Sequence, residues 1–302
     1  MAPPGDLERY PIGRAAAGVM RKDLRFGSDQ PAGRPMFGKL SILALAGLLW
    51  VPLSPAGAEP DDIDERVQMA TSEAASSGAD LELAILDRDT GRLVSNGNTS
   101  FPIASVVKLF IADDALYRES TGSSTLSESD HAALDAMLRS SEDGAAQMFW
   151  DRGGRNAVID RVTRRYGLAA TTAPANGHWD VTQSTAADLV HYYDMLLNGS
   201  GGLPPEQTEI IIGNLAGFTP QGADGYPQRF GLPDGLSGTP LAVKQGWFCC
   251  WNGDNQLHVS TGIVGADHRY VLAISSLDPN GAAGARDTMT RAVRTLFPSG
   301  TP

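Results

Sequence analysis

The order of the predicted elements constrains this chain most: strands lie toward both ends and a block of helices lies between them. Residues 61–77 carry apolar positions at helical spacing, with acids in the first turn. Residues 81–86 alternate as a strand, residues 87–92 supply turn chemistry with Gly91, and residues 93–95 return as a second strand. Pro102 suits the opening of a helix, placed at about 104–118, because its missing N–H has no partner in a first turn anyway. Further helices are predicted within 128–150, at 156–166 with Gly167 as its stop, and at 185–197 before Asn198-Gly199. Residues 201–240 are rich in Gly and Pro, broken by a short apolar stretch at 210–215. Strands at 241–244, 257–264 and 270–275 follow, the last two joined by an Asp267-His268 turn, and a helix at 283–296 closes the chain. This order predicts an α+β fold, an antiparallel sheet built from both chain ends and flanked by helices, with an all-helical insertion.

The first 58 residues differ in kind. Residues 1–35 are rich in Pro, Gly, Ala and Arg without amphipathic period and read as an N-terminal extension or a mis-assigned start, with Met36 and Met20 as alternative starts. In residues 36–58, Lys39 precedes a 14-residue apolar run from Leu40 to Leu53 and the small residues Ala56-Gly57-Ala58. A positive flank, a short apolar core and an A-x-A end describe a cleavable secretory signal peptide. The run is short for a bilayer span. The domain is therefore assigned to residues 59–302, secreted or held in the cell envelope, with no stable membrane span after processing. No cysteine lies near the expected cleavage site, so no lipid anchor is expected there.

Residues 59–302 hold 17 basic and 31 acidic side chains, a net charge of −14. Such a surface repels nucleic acid and anionic membranes. Fifteen of the basic residues are Arg and only two are Lys, Lys108 and Lys244. A guanidinium does not deprotonate in proteins, whereas an amine does, so two lysines kept in an arginine-rich chain are candidates for chemistry. The five histidines show no metal-ligand spacing, and neither a metal nor a cofactor is expected; His131, His191 and His268 read as surface residues and His258 as a structural one. Cys249 and Cys250 are adjacent and read as two small buried residues in preference to a vicinal disulfide. Trp247 and Trp251 fit either the core or a cleft wall.

Ser105 and Lys108, in Phe-Pro-Ile-Ala-Ser-Val-Val-Lys (101–108), are spaced to share one helix face. At a helix start, backbone N–H groups favour developing anions. A neutral amine beside the serine accepts its proton, and apolar neighbours push the amine toward that neutral form. The spacing alone is common. It is joined by Ser-Ser-Glu-Asp-Gly-Ala-Ala-Gln-Met-Phe-Trp (140–150) and by Val-Lys-Gln-Gly-Trp (243–247).

With these three ordered motifs, residues 62–298 resemble the class A β-lactamase-like serine hydrolases of the β-lactamase and penicillin-binding protein superfamily, in their actinobacterial form. The resemblance implies a β-lactamase/transpeptidase-like fold. It implies Ser105 as the acylated nucleophile, Lys108 as its base, Ser141 as the proton relay to the leaving nitrogen, and Lys244 as the cation behind that relay. It implies an oxyanion hole from the backbone N–H groups of Ser105 and Trp247, and a substrate-binding rim including Asp143, Gln245, Gly246 and Trp247. The chain departs from the family pattern at Asp143, where an amide is usual, and at Gln245, where a small hydroxyl residue is usual. The interval from Ser105 to Ser141 is short, which implies a trimmed insertion. No Glu occurs between Glu142 and Glu206, so the family's deacylating Glu has no counterpart there. Asp180, just before the helix predicted from Thr185, is the best-placed substitute.

Two readings follow from the resemblance. One is an enzyme acting on β-lactams or peptidoglycan-type peptides through an acyl-serine with slow deacylation. The other is a catalytically weak or inactive relative that binds cell-wall peptide. An esterase on small acyl substrates is a weaker third. In each reading the partner is a small molecule or peptide and not a nucleic acid.

Overall fold

The structure, a computed structural model, describes residues 62–301. The expected extension and signal peptide lie outside these residues. Helix α1 (Ile63–Ser76) starts where the Asp62 side chain accepts the Asp64 N–H, and it buries Val67, Ala70 and Ala74. Strands β1 (Asp80–Asp87) and β2 (Arg92–Ser95) form the expected hairpin. A two-residue strand β3 (Phe101–Pro102) and a 3₁₀ turn (Ala104–Val107) then lead into α2 (Lys108–Ser120).

Helices α3 (Glu128–Arg139), α4 (Asp143–Arg152) and α5 (Asn156–Tyr166) follow. A capping box at Ser127/Asp130 opens α3, and left-handed Gly167 closes α5. A 3₁₀ turn at Trp179–Val181 and strand β4 (Gln183–Ser184) precede α6 (Ala186–Asn198), which is capped by Thr185 and ended by left-handed Gly199. Helix α7 (Pro205–Ala216) occupies part of the segment read as irregular. Its two leading prolines obscured it, yet Pro205 stands at the first helical position, where a proline fits.

After a short helix α8 (Leu232–Gly235) come β5 (Leu241–Trp251), β6 (Asn255–Val264), β7 (Tyr270–Asp278) and α9 (Gly281–Leu296). The strands pair in the order β2-β1-β7-β6-β5, antiparallel throughout. Both chain ends thus supply one sheet, as the element order predicted. Helices α1, α8 and α9 pack with Val243, Leu272 and Ile274 on one face. Helix α6 and the helical insertion pack with Ala242, Val259 and Ala273 on the other. Strand β5 is one of the two edges, so its outer row of backbone groups has no strand partner, and this edge meets the 104–107 turn.

Among the described residues no helix is long and apolar enough to cross a membrane.

Candidate active site

Ser105 sits in the 104–107 turn rather than in the first turn of a regular helix. Pro102 belongs to β3, which pairs with β4, and the Ile103 N–H donates to Thr182 O at 2.9 Å. Ala104 has φ +46°, outside the right-handed helical region, so the α-helix cannot begin before it. Such a conformation in a non-glycine residue costs of order 1 kcal/mol and persists where its surroundings hold it. Ser105 is 8% exposed. Its hydroxyl has no hydrogen-bond partner among the described residues, while Lys108, wholly buried, turns its amine elsewhere.

The Lys108 amine donates to Ser141 O at 2.6 Å and to Ser141 Oγ at 3.2 Å, and pairs with Asp143 Oδ1 at 2.5 Å. Lys244 Nζ lies 2.9 Å from the same Ser141 Oγ. One hydroxyl therefore bridges the two lysines. Ser141 is buried and also has positive φ, +60°, at the end of the α3–α4 link. Burial holds the Lys108 amine below its ordinary pKa, against the opposing pull of the Asp143 carboxylate. Burial, and then repulsion from Lys108, push Lys244 well below its own. The sequence motifs thus converge: Ser141 and both lysines meet in one buried cluster, with Ser105 one helical turn from Lys108.

Gly246 explains how the edge strand comes so close to Ser105. A Cβ there would lie 2.8 Å from Ile103 O, 3.1 Å from Ala104 Cβ and 3.2 Å from Ser105 N. Replacing Gly246 by Ala is expected to push β5 off the turn. It should cost about 1–3 kcal/mol of stability, measurable by denaturant titration, and lower the rate of serine labelling. Unchanged stability and labelling would show that the turn yields freely.

Gln245 and Trp247 lie on the opposite face of β5 from Lys244, as strand alternation requires. The Gln245 amide is 1% exposed and donates to Gln228 O at 3.0 Å and Phe230 O at 2.7 Å. Its side chain is therefore not brought to the cleft; it ties β5 to the 218–231 loop. The Trp247 ring stacks on Tyr226, centroids 4.9 Å apart, and its Nε1 donates to Asp224 Oδ2 at 3.2 Å. Trp247 is half-buried, packed with Tyr226 against the core on that face of the sheet.

Asp224 carried no signal in the sequence. It is brought here by its loop, in which the Ala223 N–H donates to Ser140 O at 2.7 Å. Trp179, on the other flank, places its ring 4.9 Å from Lys108 Nζ and donates from Nε1 to Gln147. The adjacent Asp180 is half-buried, which raises its carboxyl above the ordinary value; it also senses Asp143 and Lys108. Glu142 is committed to capping α4, accepting the Gly144 and Ala145 N–H groups.

Three further expectations can be compared with the structure. His258 is buried, bonded to Tyr226 Oη at 2.7 Å, and held down to about 4 by burial, in keeping with a structural role. Trp251 is half-buried against Phe248. Cys249 and Cys250 are not buried: they are exposed and joined by a disulfide near the tip of the β5–β6 hairpin, where a register shift takes Cys250 out of the ladder.

Comparison with known proteins is consistent with this geometry. Residues 130–298 match the model of the beta-lactamase enzyme family. A Mycobacterium tuberculosis protein named "Putative lipoprotein LppW" is 56% identical over 254 residues, covering 82% of this chain and 80% of that protein. A solved beta-lactamase from Chitinophaga pinensis superposes with a TM-score of 0.64 at 15% identity, covering 78% of this chain and all of that one. A point mutant of PBP-A, solved as its acyl-enzyme complex with penicillin G, superposes with a TM-score of 0.65 at 19% identity, covering 78% of this chain and 95% of that one.

Proposed function

The chain belongs to the beta-lactamase enzyme family, and from that membership we propose that it is an extracytoplasmic serine hydrolase acting on β-lactams or peptidoglycan-type peptides through an acyl-serine. One observation carries the reading: the Ser141 hydroxyl bridges the only two lysines of residues 59–302, both buried. Two amines sharing one hydroxyl in a buried site disfavour two positive charges, so one of them is kept ready to accept a proton.

In this reading Ser105 Oγ attacks the scissile carbonyl and its proton passes to neutral Lys108. The carbonyl oxygen gains charge against the N–H groups of Ser105 and Trp247, which the close approach at Gly246 supports. Ser141 gives its proton to the departing nitrogen as the C–N bond breaks and regains one from the lysine pair. Water then cleaves the ester and frees Ser105. Asp143 and Trp247 would line the substrate rim, and Gln245 would serve by holding the 218–231 loop against β5.

A second reading, a weak or inactive binder of cell-wall peptide, is favoured by one feature: Lys108 is paired with Asp143 and not with Ser105. Intact-mass analysis with penicillin G and with a fluorophosphonate separates the two. A single adduct from each, mapped by peptide sequencing to Ser105, is the expected result. An adduct at another residue removes Ser105 from its role, and no adduct from either reagent favours the binder.

The extracytoplasmic location rests on the leader at residues 36–58 and on the lipoprotein naming of the mycobacterial relative. Cleavage near Glu59 is the proposed processing.

A further inference from the structure

The charges around the two lysines are unlike those a carboxylate-bearing substrate would seek. The groups that act most on the Lys108 ammonium are the carboxylates of Asp143, Glu142 and Asp224. Asp180 lies close enough to sense both Lys108 and Asp143. Four acids thus face two amines, and burial disfavours the charged form of both amines. Arg286, bonded to Tyr226 Oη at 2.7 Å, adds one positive charge behind the rim, which still leaves the acids in excess for an anion arriving at the cleft.

Two of these acids are open to a ligand. The Asp143 side chain is 72% exposed, and only its Oδ1 is engaged, by Lys108; Oδ2 has no protein partner among the described residues. Asp224 is exposed at the rim, held by the Tyr226 N–H and Trp247 Nε1 beside the stacked Tyr226–Trp247 rings. Asp224 meets the Trp247 ring at its Nε1 edge, while Arg286 occupies the Tyr226 side of the stack, 5.1 Å from that ring's centroid, so Asp224 keeps its charge exposed on the other side. Glu142 is occupied by its cap.

We propose that the site selects acyl donors bearing a positive charge, such as a peptide with a free amine, and that Asp143 and Asp224 are the carboxylates that read it. The inference rests on the serine acyl-transfer reading and adds the substrate class to it. It also gives Asp143 a purpose where an amide would otherwise donate to substrate. A substrate ammonium that shares the Asp143 carboxylate weakens its hold on Lys108. Lys108 then loses the partner that favours its charged form and becomes free to take the Ser105 proton. The charge that is recognised also releases the base.

The test is a matched series of p-nitrophenyl esters, the 6-aminohexanoate, the heptanoate and the adipate half-ester. In each, the Ser105 Oγ–acyl bond forms, the aryloxide leaves, and the serine proton goes to Lys108. The expected order of acylation rates is cation, neutral, anion, with about tenfold or more between the extremes and a smaller spread at 1 M salt, where exposed charges are screened. Asp143→Asn together with Asp224→Asn is expected to collapse the spread. An adipate ester as fast as the aminohexanoate, or a preference that survives in the double variant, overturns the proposal. The corresponding amides titrated onto Ser105→Ala by calorimetry read the same preference without acylation. If no ester labels Ser105, the acyl-transfer reading fails, and the titration still decides the charge preference: tighter binding of 6-aminohexanamide upholds it, and equal or absent binding overturns it.

Discussion

Lys108→Arg is expected to slow acylation of Ser105 by about 10²–10⁴-fold, the range lost with a general base, and so to be as damaging as Lys108→Ala. Arginine keeps the positive charge but does not become neutral, so it can hold Asp143 and still fail to accept the serine proton. Burial lowers the Lys108 amine from its ordinary value, which favours the neutral form a base requires, against the opposing pull of Asp143. The sign of the pH dependence follows: acylation rises with pH as Lys108 deprotonates, and the limb set by Lys108 disappears in the arginine variant. Stopped-flow acylation across pH 5–10, with thermal melts as a folding control, measures both. Near-wild-type rates in Lys108→Arg would leave the residue an electrostatic role and move the base to Lys244, which burial and Lys108 push lower still.

Much of this site is legible in the sequence because its chemistry rests on scarce residues at fixed intervals. Two lysines among seventeen basic side chains, each inside a motif, point to the cluster that Ser141 bridges. The element order also predicts the sheet, since strands toward both chain ends leave few ways to bury the helices between them. The parts that escape depend on distant backbone. Pro102 looks like a helix start, yet pairing with Gln183, some eighty residues away, makes it a strand residue. Gln245 looks like a cleft residue by its place in a motif, yet its amide is claimed by carbonyls of a loop with no motif of its own. Asp224 arrives on that same loop through a hydrogen bond to Ser140. Side chains set by a strand's period can be read locally, whereas those set by which loop docks on which edge cannot.

With penicillin or nitrocefin, a stoichiometric burst followed by a very slow steady state is expected, with deacylation slower by about 10²–10⁴-fold than with a positioned base on the attacking water. The motivation begins with the absence of Glu between Glu142 and Glu206. In the structure the flank beside Lys108 is filled by the Trp179 ring, held by Gln147, and an apolar ring cannot polarise water. The carboxylate nearest in sequence to that ring is Asp180, on the turn whose neighbour Thr182 anchors the nucleophile segment through Ile103. Burial raises the Asp180 carboxyl above its ordinary value, which moves it toward the range of a working base. It is therefore the residue to which any residual turnover is assigned. Asp180→Asn should leave the burst intact, because the proposed mechanism assigns acylation to Lys108, and lower the steady state further. Quench-flow amplitude and acyl-enzyme lifetime by mass spectrometry read the two steps separately. Fast multiple turnover in the wild type would refute slow deacylation, and fast turnover that survives in Asp180→Asn would shift the search to Asp143, whose loss would also disturb Lys108 and so betray itself in the burst phase.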